Sequence, residues 1–245
     1  LMSGLLAESR APKIIALENV CGTLTSHAGK DFVAICRTFA SRGYRQGALV
    51  INADLFTPQS RPRLFMVGVH PDVSIDEALL SPEPLAPFHT RGLRTAVERL
   101  PAATRKQMVW WNLPTPERRQ DTFADIIEDD PADVPWHSPA ETAQLLAKMS
   151  DVNDAKLKAA RRAGRRMVGA VYKRTRLNER GVKVQRAEIR FDDVAGCLRT
   201  PAGGSSRQVI VVVDGDQVRS RLISSRETAR LMGLPDSYKL PANYN

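Results

Sequence analysis

The chain has 245 residues, enough to bury a sizeable core as one large domain or two smaller ones. Its hydrophobic fraction of 42% and charged fraction of 26% are ordinary for a globular protein, and no apolar run is long enough to span a membrane. Three cysteines without a CxxC pair and four scattered histidines indicate neither a disulfide framework nor a zinc site. We therefore expect no bound metal and a reducing, cytoplasmic compartment.

Positive charge is concentrated in one part of the chain. The net charge is +9 and the isoelectric point is near 9.8, which favours a polyanionic partner. Residues 156–190 contain thirteen Lys or Arg side chains and only two acids, so their excess is larger than that of the whole chain. This block predicts a docking face for nucleic acid. The alternative is a solvated helix face, although such faces more often mix the two signs.

The first 70 residues predict one half of an α/β sheet. An apolar run ends in Glu18 and Asn19, which is typical of a buried parallel strand that delivers polar side chains to a site. The alternative is that these two residues begin a solvated loop. A helix with apolar residues at helical spacing follows and stops at Gly43. The predicted order, that of the second half of a doubly wound sheet, is strand 13–20, helix 29–42, strand 48–52 and strand 63–69.

The rest of the chain predicts a more irregular arrangement. Three prolines interrupt short helical pieces between residues 74 and 100, and residues 110–137 predict no regular element. Ser138 and Ser224 each begin a capping box and predict helix starts, the first helix running to about Met149. The remaining predicted elements are a basic helix over 154–168 and strands over 182–184, 187–191 and 208–213.

Gln59, Arg61 and Arg63 alternate as the chain enters the strand at 63–69, which would place all three on one face. Two guanidinium groups on one strand face repel each other, so in partial burial they need carboxylates or phosphates beside them. Glu18 is a candidate partner if its strand is a neighbour. The alternative is an exposed edge strand whose charges oppose aggregation.

Four segments carry motifs in a fixed order. They are an E-N-V motif at Glu18-Asn19-Val20, a Gly-Tyr helix end at Gly43-Tyr44, a Q-x-R-x-R motif at 59–63, and a late motif around Arg-Glu-x-Ala-Arg-Leu at 221–236. Taken together and in this order, these segments resemble the DNA cytosine-5 methyltransferases, whose late motif is nearly complete here. The resemblance covers 1–75 and 190–240 directly and the stretch between them by position.

The resemblance implies a fold, a division into domains and an activity. The fold is α/β: the second half of a Rossmann-like class I methyltransferase sheet plus a mixed, irregular target-recognition domain. The activity is transfer of a methyl group from S-adenosylmethionine to C5 of a cytosine flipped out of duplex DNA, as in restriction-modification. The implied domains are the C-terminal half of the catalytic domain over 1–79, the target-recognition domain over 80–220 and a return helix over 221–245.

The resemblance also implies the roles of the site residues. Glu18 would supply a proton to N3 of the cytosine and accept a hydrogen bond from its exocyclic amine. Arg63 is the first choice for the arginine that polarises O2, and Arg61 is the second. Asn19 would brace the turn after the strand, and Gln59 is expected to be structural or to contact the backbone.

DNA contacts are expected within the basic block and shortly after it. Small residues over 202–206 would let the backbone approach DNA closely, with Arg199 before them and Arg207 after them as DNA-binding residues. The alternative for this segment is a plain hairpin turn. Side chains assigned to phosphates, which fix register without reading sequence, are Arg161, Arg162, Arg165, Arg166, Lys173, Arg174 and Arg176.

Three parts of the family pattern do not occur in this sequence. There is no Pro-Cys dipeptide, so none of Cys21, Cys36 and Cys197 is assigned as the nucleophile. The glycine-rich cofactor motif before E-N-V and the Gly-Asn motif after the late motif are also missing. We expect a portion of the enzyme that is inactive alone and whose S-adenosylmethionine is bound mainly by another part of the protein.

The expected partners follow from the same resemblance to the family. They are double-stranded DNA and, where the nucleophile is not in the same polypeptide, a complementary N-terminal chain or subunit that carries it. The protein would be cytoplasmic, and nucleoid-associated if prokaryotic. The alternative function is a non-catalytic DNA-binding, regulatory or split subunit of such an enzyme. A basic RNA-binding α/β protein would leave the arrangement of Glu18, Gln59, Arg61 and Arg63 unexplained.

Overall fold

The computed structural model describes residues 2–198 and 207–241. It contains two compact units: the first comprises Leu1–Asn52 and Pro62–Glu117, and the second comprises Ala53–Arg61 and Arg118–Asn245. These boundaries follow compactness, and the functional division at residues 79/80 and 220/221 stays a prediction. Within the described ranges, no helix has both the length and the apolar character needed to cross a membrane.

The first unit is built on a three-stranded sheet. The order of its strands is β1-β3-β2, and both neighbouring pairs are antiparallel. A separate pair, β4 with β5, is also antiparallel. In chain order the elements are α1 (Met2–Ala7), β1 (Ile14–Val20), α2 (Lys30–Ala40), β2 (Arg45–Asn52), β3 (Pro62–Val69), β4 (Leu80–Ser81), α3 (Arg91–Glu98), α4 (Ala102–Arg105) and β5 (Trp110–Trp111).

The core of the first unit lies between α2 and the sheet. Phe32, Cys36 and Phe39 recur at helical spacing on the buried face of α2 and pack with buried side chains of β2 and β3. Each large side chain buried in this way contributes about 1.5–3 kcal/mol. The helix ends before Gly43, whose φ of +77° suits glycine. The helix and the strands that follow it were therefore predicted correctly.

β1 was predicted to be a buried parallel strand; its neighbour in the described chain is antiparallel, and burial against a parallel neighbour on its other edge stays a prediction. It pairs antiparallel with β3, and within the described chain it is an edge strand. The side chains of Ile14, Leu17 and Val20 are 61%, 41% and 53% exposed. An apolar run indicates a strand, but it cannot tell which strand becomes the neighbour. Here β3 lies between β1 and β2 and runs opposite to both.

The second unit contains a four-stranded antiparallel sheet with strand order β7-β6-β8-β9. Strand β8 is buried on both faces, since Val209, Val211 and Val213 pack into one apolar cluster and Ile210 and Val212 into another. In chain order the elements are α5 (Pro139–Leu146), α6 (Asp151–Arg162), β6 (Met167–Leu177), β7 (Lys183–Arg190), β8 (Val209–Asp214), β9 (Gln217–Leu222) and α7 (Ser225–Leu231).

Strand β6 was not predicted. The basic helix was expected to run to residue 168, but α6 ends at Arg162 and Gly164 turns the chain with a φ of +65°. The inner half of β6 is buried and its outer half is exposed and charged. That change of environment within one strand hides the alternation on which a strand prediction depends. The two short strands expected over 182–184 and 187–191 form the single strand β7.

Both capping boxes are present as predicted. Ser138 and Ser224 are the N-cap residues of α5 and α7, and each exchanges hydrogen bonds with the glutamate three residues later, Glu141 or Glu227. Each box satisfies two backbone donors that a helix start would otherwise leave unpaired. Because these signals involve neighbouring residues, they could be recognised from the sequence.

Gly196 leaves no room for a side chain, because an added Cβ would overlap Tyr172 Oη. We expect Gly196→Ala to displace the Tyr172 ring and to lower the free energy of unfolding by about 1–3 kcal/mol. Urea denaturation measures this change. Gly92→Ala is the control, since nothing lies within 4 Å of its new Cβ. A loss of stability at Gly196 no larger than at Gly92 would contradict the close packing.

Candidate functional site

The end of β1 and the start of β3 bring a carboxylate and a guanidinium together. Val20 lies opposite Arg63 in the antiparallel pair, so Glu18, two residues earlier, projects from the same face as Val20. Arg63 Nε is 2.9 Å from Glu18 Oε1. The structure therefore places these two predicted site residues in contact, and their catalytic roles stay a prediction.

The two members of this pair differ in exposure. The Arg63 side chain is 18% exposed, whereas that of Glu18 is 53% exposed. Arg63 Nη1 also donates a hydrogen bond to the Pro62 carbonyl at 2.9 Å, which helps to fix the guanidinium. An ion pair with one exposed partner contributes little to stability. The arrangement instead holds an accessible carboxylate in one orientation.

Residues that follow Glu18 support the turn and supply no thiolate. Asn19 Oδ1 accepts a hydrogen bond from the Val20 N–H at 2.8 Å, a local contact of the kind expected for a bracing residue. Burial raises the pKa of the Cys21 thiol, and the positive charge of Arg63 offsets only part of that effect. Burial raises the pKa of Cys36 to about 12. Both side chains are therefore neutral thiols near pH 7.

Gln59 and Arg61 do not share a strand face with Arg63, and that prediction is wrong. Strand β3 begins only at Pro62, and both residues belong to the second compact unit. Gln59 is buried, and its Nε2 donates to the Leu231 carbonyl at 2.9 Å, which is a backbone contact. Its Oε1 is buried without a hydrogen-bond partner in the described part of the chain.

Arg61 contacts the segment that follows β7. Its Nη1 donates to Cys197 Sγ at 3.1 Å and to the Leu198 carbonyl at 3.2 Å. The backbone beside it is also paired, since the Ser60 N–H donates to the Ala195 carbonyl at 2.8 Å. In this structure Arg61 therefore anchors residues 195–198 within the second unit.

A buried ion pair lies at the start of α7, and it was not foreseen from the sequence. Arg221 and Glu227 are both 0% exposed, and their two side-chain contacts measure 2.8 and 2.6 Å. Glu227 also accepts hydrogen bonds from the backbone N–H groups of Glu128 and Ser224, each at 2.7 Å. The Trp136 ring lies 4.9 Å from the Arg221 guanidinium. The late motif therefore forms a hydrogen-bonded ionic network inside the second unit.

The structure separates the predicted phosphate-binding residues into two groups. Arg161, Arg162 and Arg165 are exposed at the end of α6 and in the turn that follows. Lys173, Arg174 and Arg176 lie on the exposed outer half of β6. The first group lies before the start of β6 and the second lies on its outer half, and the buried residues 168–171 separate them along the strand.

The remaining predicted DNA-binding residues have protein partners or lie outside the described ranges. Arg166 Nη2 is 2.9 Å from Asp129 Oδ1, and Arg207 Nη2 donates to the Ile223 carbonyl at 2.9 Å. Arg199 lies outside the described residues, as does the small-residue segment 202–206. Their assignment to DNA stays a prediction.

A cleft of about 440 Å³ opens beside β6 and β7 in the second unit. Its polar lining includes three side chains that sequence reasoning did not assign to a site: Lys156, Tyr172 and Arg190. Burial raises the pKa of Tyr172, so its hydroxyl stays protonated and can donate a hydrogen bond. Arg190 Nε lies 2.6 Å from Asp192 Oδ1, and this hydrogen bond lowers the pKa of Asp192. The excess of cations suits an anionic ligand group.

Comparison with known proteins gives the family. Residues 5–245 match the family model of the C-5 cytosine-specific DNA methylases. The chain belongs to this family. The match spans all four motifs on which the resemblance was based, so the predicted family is confirmed. The coarse fold class, mixed α/β, agrees with the sheets and helices of both units.

Individual methyltransferases match shorter segments of the chain. An orphan methyltransferase, M.SPBetaI of Bacillus phage SPbeta, is 36% identical over 76 residues, which are 31% of this chain and 17% of the phage protein. The type II methyltransferase M.BsuFI of Bacillus subtilis is 38% identical over 73 residues, 29% of this chain and 18% of its own. The chain thus matches less than a fifth of the length of these relatives.

Among solved structures, the crystal structure of S. pombe Dnmt2 methyltransferase aligns with 99% of this chain and 61% of its own. The TM-score is 0.37 and the sequence identity is 14%.

Across residues 2–198 and 207–241, no group of three or more His, Cys, Asp or Glu side chains is placed to hold a metal ion.

Proposed function

We propose that this chain is part of a DNA cytosine-5 methyltransferase, which transfers a methyl group from S-adenosylmethionine to C5 of a cytosine flipped out of duplex DNA. The observation that carries this proposal is the contact between Glu18 and Arg63 in a member of this family. In this enzyme, the second half of a Rossmann-like sheet is formed by β1, β2 and β3 together with α2. Residues 80–220 hold the target-recognition domain, and α7 is the return helix.

Glu18 and Arg63 can stabilise an activated cytosine. The exposed Glu18 carboxyl group, when protonated, donates to N3 of the ring, and its second oxygen accepts from the exocyclic amine. The positive charge of Arg63 stabilises the electron density that builds up on O2 and N3 when a nucleophile adds to the ring. Flipping the base to reach this pair costs a few kcal/mol in pairing and stacking.

The cavity in the first unit does not fit S-adenosylmethionine well. The first unit has a cavity of about 410 Å³, but its charged lining consists of Lys30, Arg37 and Arg99. The donor carries a sulfonium, an ammonium and one carboxylate, so its net charge is positive and a lining with three cations and no acid repels it. We therefore assign donor binding to another part of the protein.

The alternative function, a non-catalytic DNA-binding or regulatory subunit, is favoured by the state of the cysteines. Burial raises the pKa values of Cys21 and Cys36, so neither is a ready nucleophile. A split enzyme would have the same property, with the thiolate supplied by a complementary chain. Methylation by the complete protein distinguishes these functions.

The decisive experiment uses the protein expressed from its complete reading frame. Duplex DNA is incubated with the protein and S-adenosylmethionine that carries a labelled methyl group, and bisulfite sequencing then locates the modified bases. We expect label on DNA and protection of cytosines within a defined sequence. Duplex binding without label would favour the non-catalytic subunit, and absence of both binding and label would refute the proposed function.

Arginines at the end of α6 are expected to contact phosphates. Replacing Arg161, Arg162 and Arg165 together by alanine should reduce the slope of log affinity against log salt by about 0.9 for each phosphate that the protein no longer neutralises. Fluorescence anisotropy with a labelled duplex over a salt series measures the slope. The matched control removes three exposed cations from the first unit: Arg91, Arg94 and Lys106. Equal slopes for the two triple variants would place the DNA elsewhere.

A further inference from the structure

One carboxylate on the β6–β7 hairpin holds two arginines. Glu188 lies directly opposite Tyr172, and Arg174 and Arg176 follow Tyr172 on the same face of β6. Arg176 Nε and Nη2 are 2.7 and 2.6 Å from Glu188 Oε1. Arg174 Nε is 3.3 Å from Glu188 Oε2, and the Arg174 guanidinium lies 5.4 Å from the centroid of the Tyr172 ring.

This contact uses one edge of the Arg176 guanidinium and leaves another edge exposed. A guanidinium has a side edge, Nε with Nη2, and an end edge, Nη1 with Nη2. The side edge faces Glu188, so the end edge points away from it. The Arg176 side chain is 51% exposed, and Glu188 is 29% exposed. The end edge is therefore accessible and fixed in direction.

Neither stability nor phosphate binding explains the arrangement. An exposed ion pair contributes little to stability, because holding two long side chains in one geometry costs entropy. A phosphate contact needs positive charge at the right distance, and a carboxylate between two arginines reduces that charge. Guanine recognition, in contrast, needs orientation, since O6 and N7 accept two parallel hydrogen bonds from a guanidinium edge.

We propose that Arg176 recognises a guanine base in the major groove through its Nη1–Nη2 edge, and that Glu188 is the positioning residue that fixes this edge. A two-stranded β-ribbon is narrow enough to enter the major groove, where each base pair presents a distinct pattern of donors and acceptors. The inference rests on the proposed function, because it requires that the protein binds duplex DNA. It replaces the assignment of Arg176 to a phosphate.

The test is selection of bound sequences from a randomised duplex library by the protein expressed from its complete reading frame. The wild type should enrich a site with a fixed guanine. Arg176→Ala should lower the preference for that guanine over the other bases by about 5- to 150-fold. Arg161→Ala is the matched control. It should weaken binding to every sequence and leave the preference for guanine unchanged.

Glu188→Gln separates a positioning role from a merely structural one. The substitution removes a negative charge from the hairpin, so affinity for unselected DNA should rise or stay unchanged. The preference for the guanine should fall in the same variant, because Arg176 is no longer held. If Arg176→Ala proves unstable in thermal unfolding, Arg176→Gln provides a second substitution. It should shift the preferred base from guanine towards adenine, the base that a glutamine amide pairs with.

A base analogue gives an independent measurement on the selected duplex. Replacing the fixed guanine by 7-deazaguanine removes the N7 acceptor and keeps Watson–Crick pairing. It should weaken binding by the wild type and have little effect on Arg176→Ala. If Arg176→Ala selects the same site as the wild type, the inference is wrong while the proposed function stands. If the wild type neither binds duplex DNA nor selects a sequence, both are wrong.

Discussion

Glu18→Gln is expected to slow methyl transfer by the complete enzyme by about 10²- to 10⁴-fold without weakening duplex binding. The amide has the shape of the carboxyl group and can still donate a hydrogen bond, but it cannot transfer a proton to N3 of the cytosine. The Glu18 side chain is 53% exposed, so removal of its charge should change the free energy of unfolding by less than about 1 kcal/mol. Single-turnover incorporation of labelled methyl groups measures the rate, and fluorescence anisotropy measures duplex affinity.

Glu98→Gln is a matched control for this experiment. Glu98 is an exposed glutamate at the end of α3 in the same compact unit, so its amide should leave the rate unchanged. Arg63→Lys is expected to slow the reaction as well, because an ammonium cannot keep both the contact with Glu18 and the hydrogen bond to the Pro62 carbonyl. A wild-type rate for Glu18→Gln would exclude Glu18 as the proton donor.

The contact between Glu18 and Arg63 could be predicted from the sequence, but the directions of their strands could not. An acidic residue that ends one apolar run and a basic residue that begins another are natural partners if the two strands are neighbours. Alternation would place Gln59 and Arg61 on the same face as Arg63 only if β3 included positions 59 and 61. It begins at Pro62. Strand boundaries depend on pairing with distant segments, which a local pattern does not reveal.

The difference between local signals and contacts with distant segments also explains which features of α7 could be predicted from the sequence. The capping box between Ser224 and Glu227 joins residues three positions apart, so the sequence predicted it correctly. The partners of Glu227 in the buried network include the backbone of Glu128, almost a hundred residues away along the chain. An arginine near the end of a strand, shortly before a capping box, is a usable signal for such a pair. Its burial, however, depends on packing that the sequence pattern does not specify.

Arg221→Met is expected to lower the free energy of unfolding by about 3–5 kcal/mol, the largest effect on stability among the substitutions proposed for this chain. The substitution leaves the Glu227 carboxylate buried without its cation, at a position where both side chains are 0% exposed. Two backbone N–H donors remain near Glu227, but they do not neutralise its charge. Urea denaturation of the complete protein measures the change, and an unaltered m-value would show that the unfolded state is the same.

The double variant Arg221→Met with Glu227→Gln tests whether the cost comes from the unpaired charge. Because it removes both charges while the amide oxygen can still accept from the backbone N–H groups of Glu128 and Ser224, it should be less destabilised than Arg221→Met alone. Lys158→Met is the control, since its ion pair with Asp154 is exposed and should contribute less than about 1 kcal/mol. The Leu231 carbonyl, which accepts from Gln59, ends the helix that this network caps. Destabilising the network should therefore also loosen the contact of Gln59. A double variant as unstable as the single one would mean that packing, and not charge, holds α7 in place.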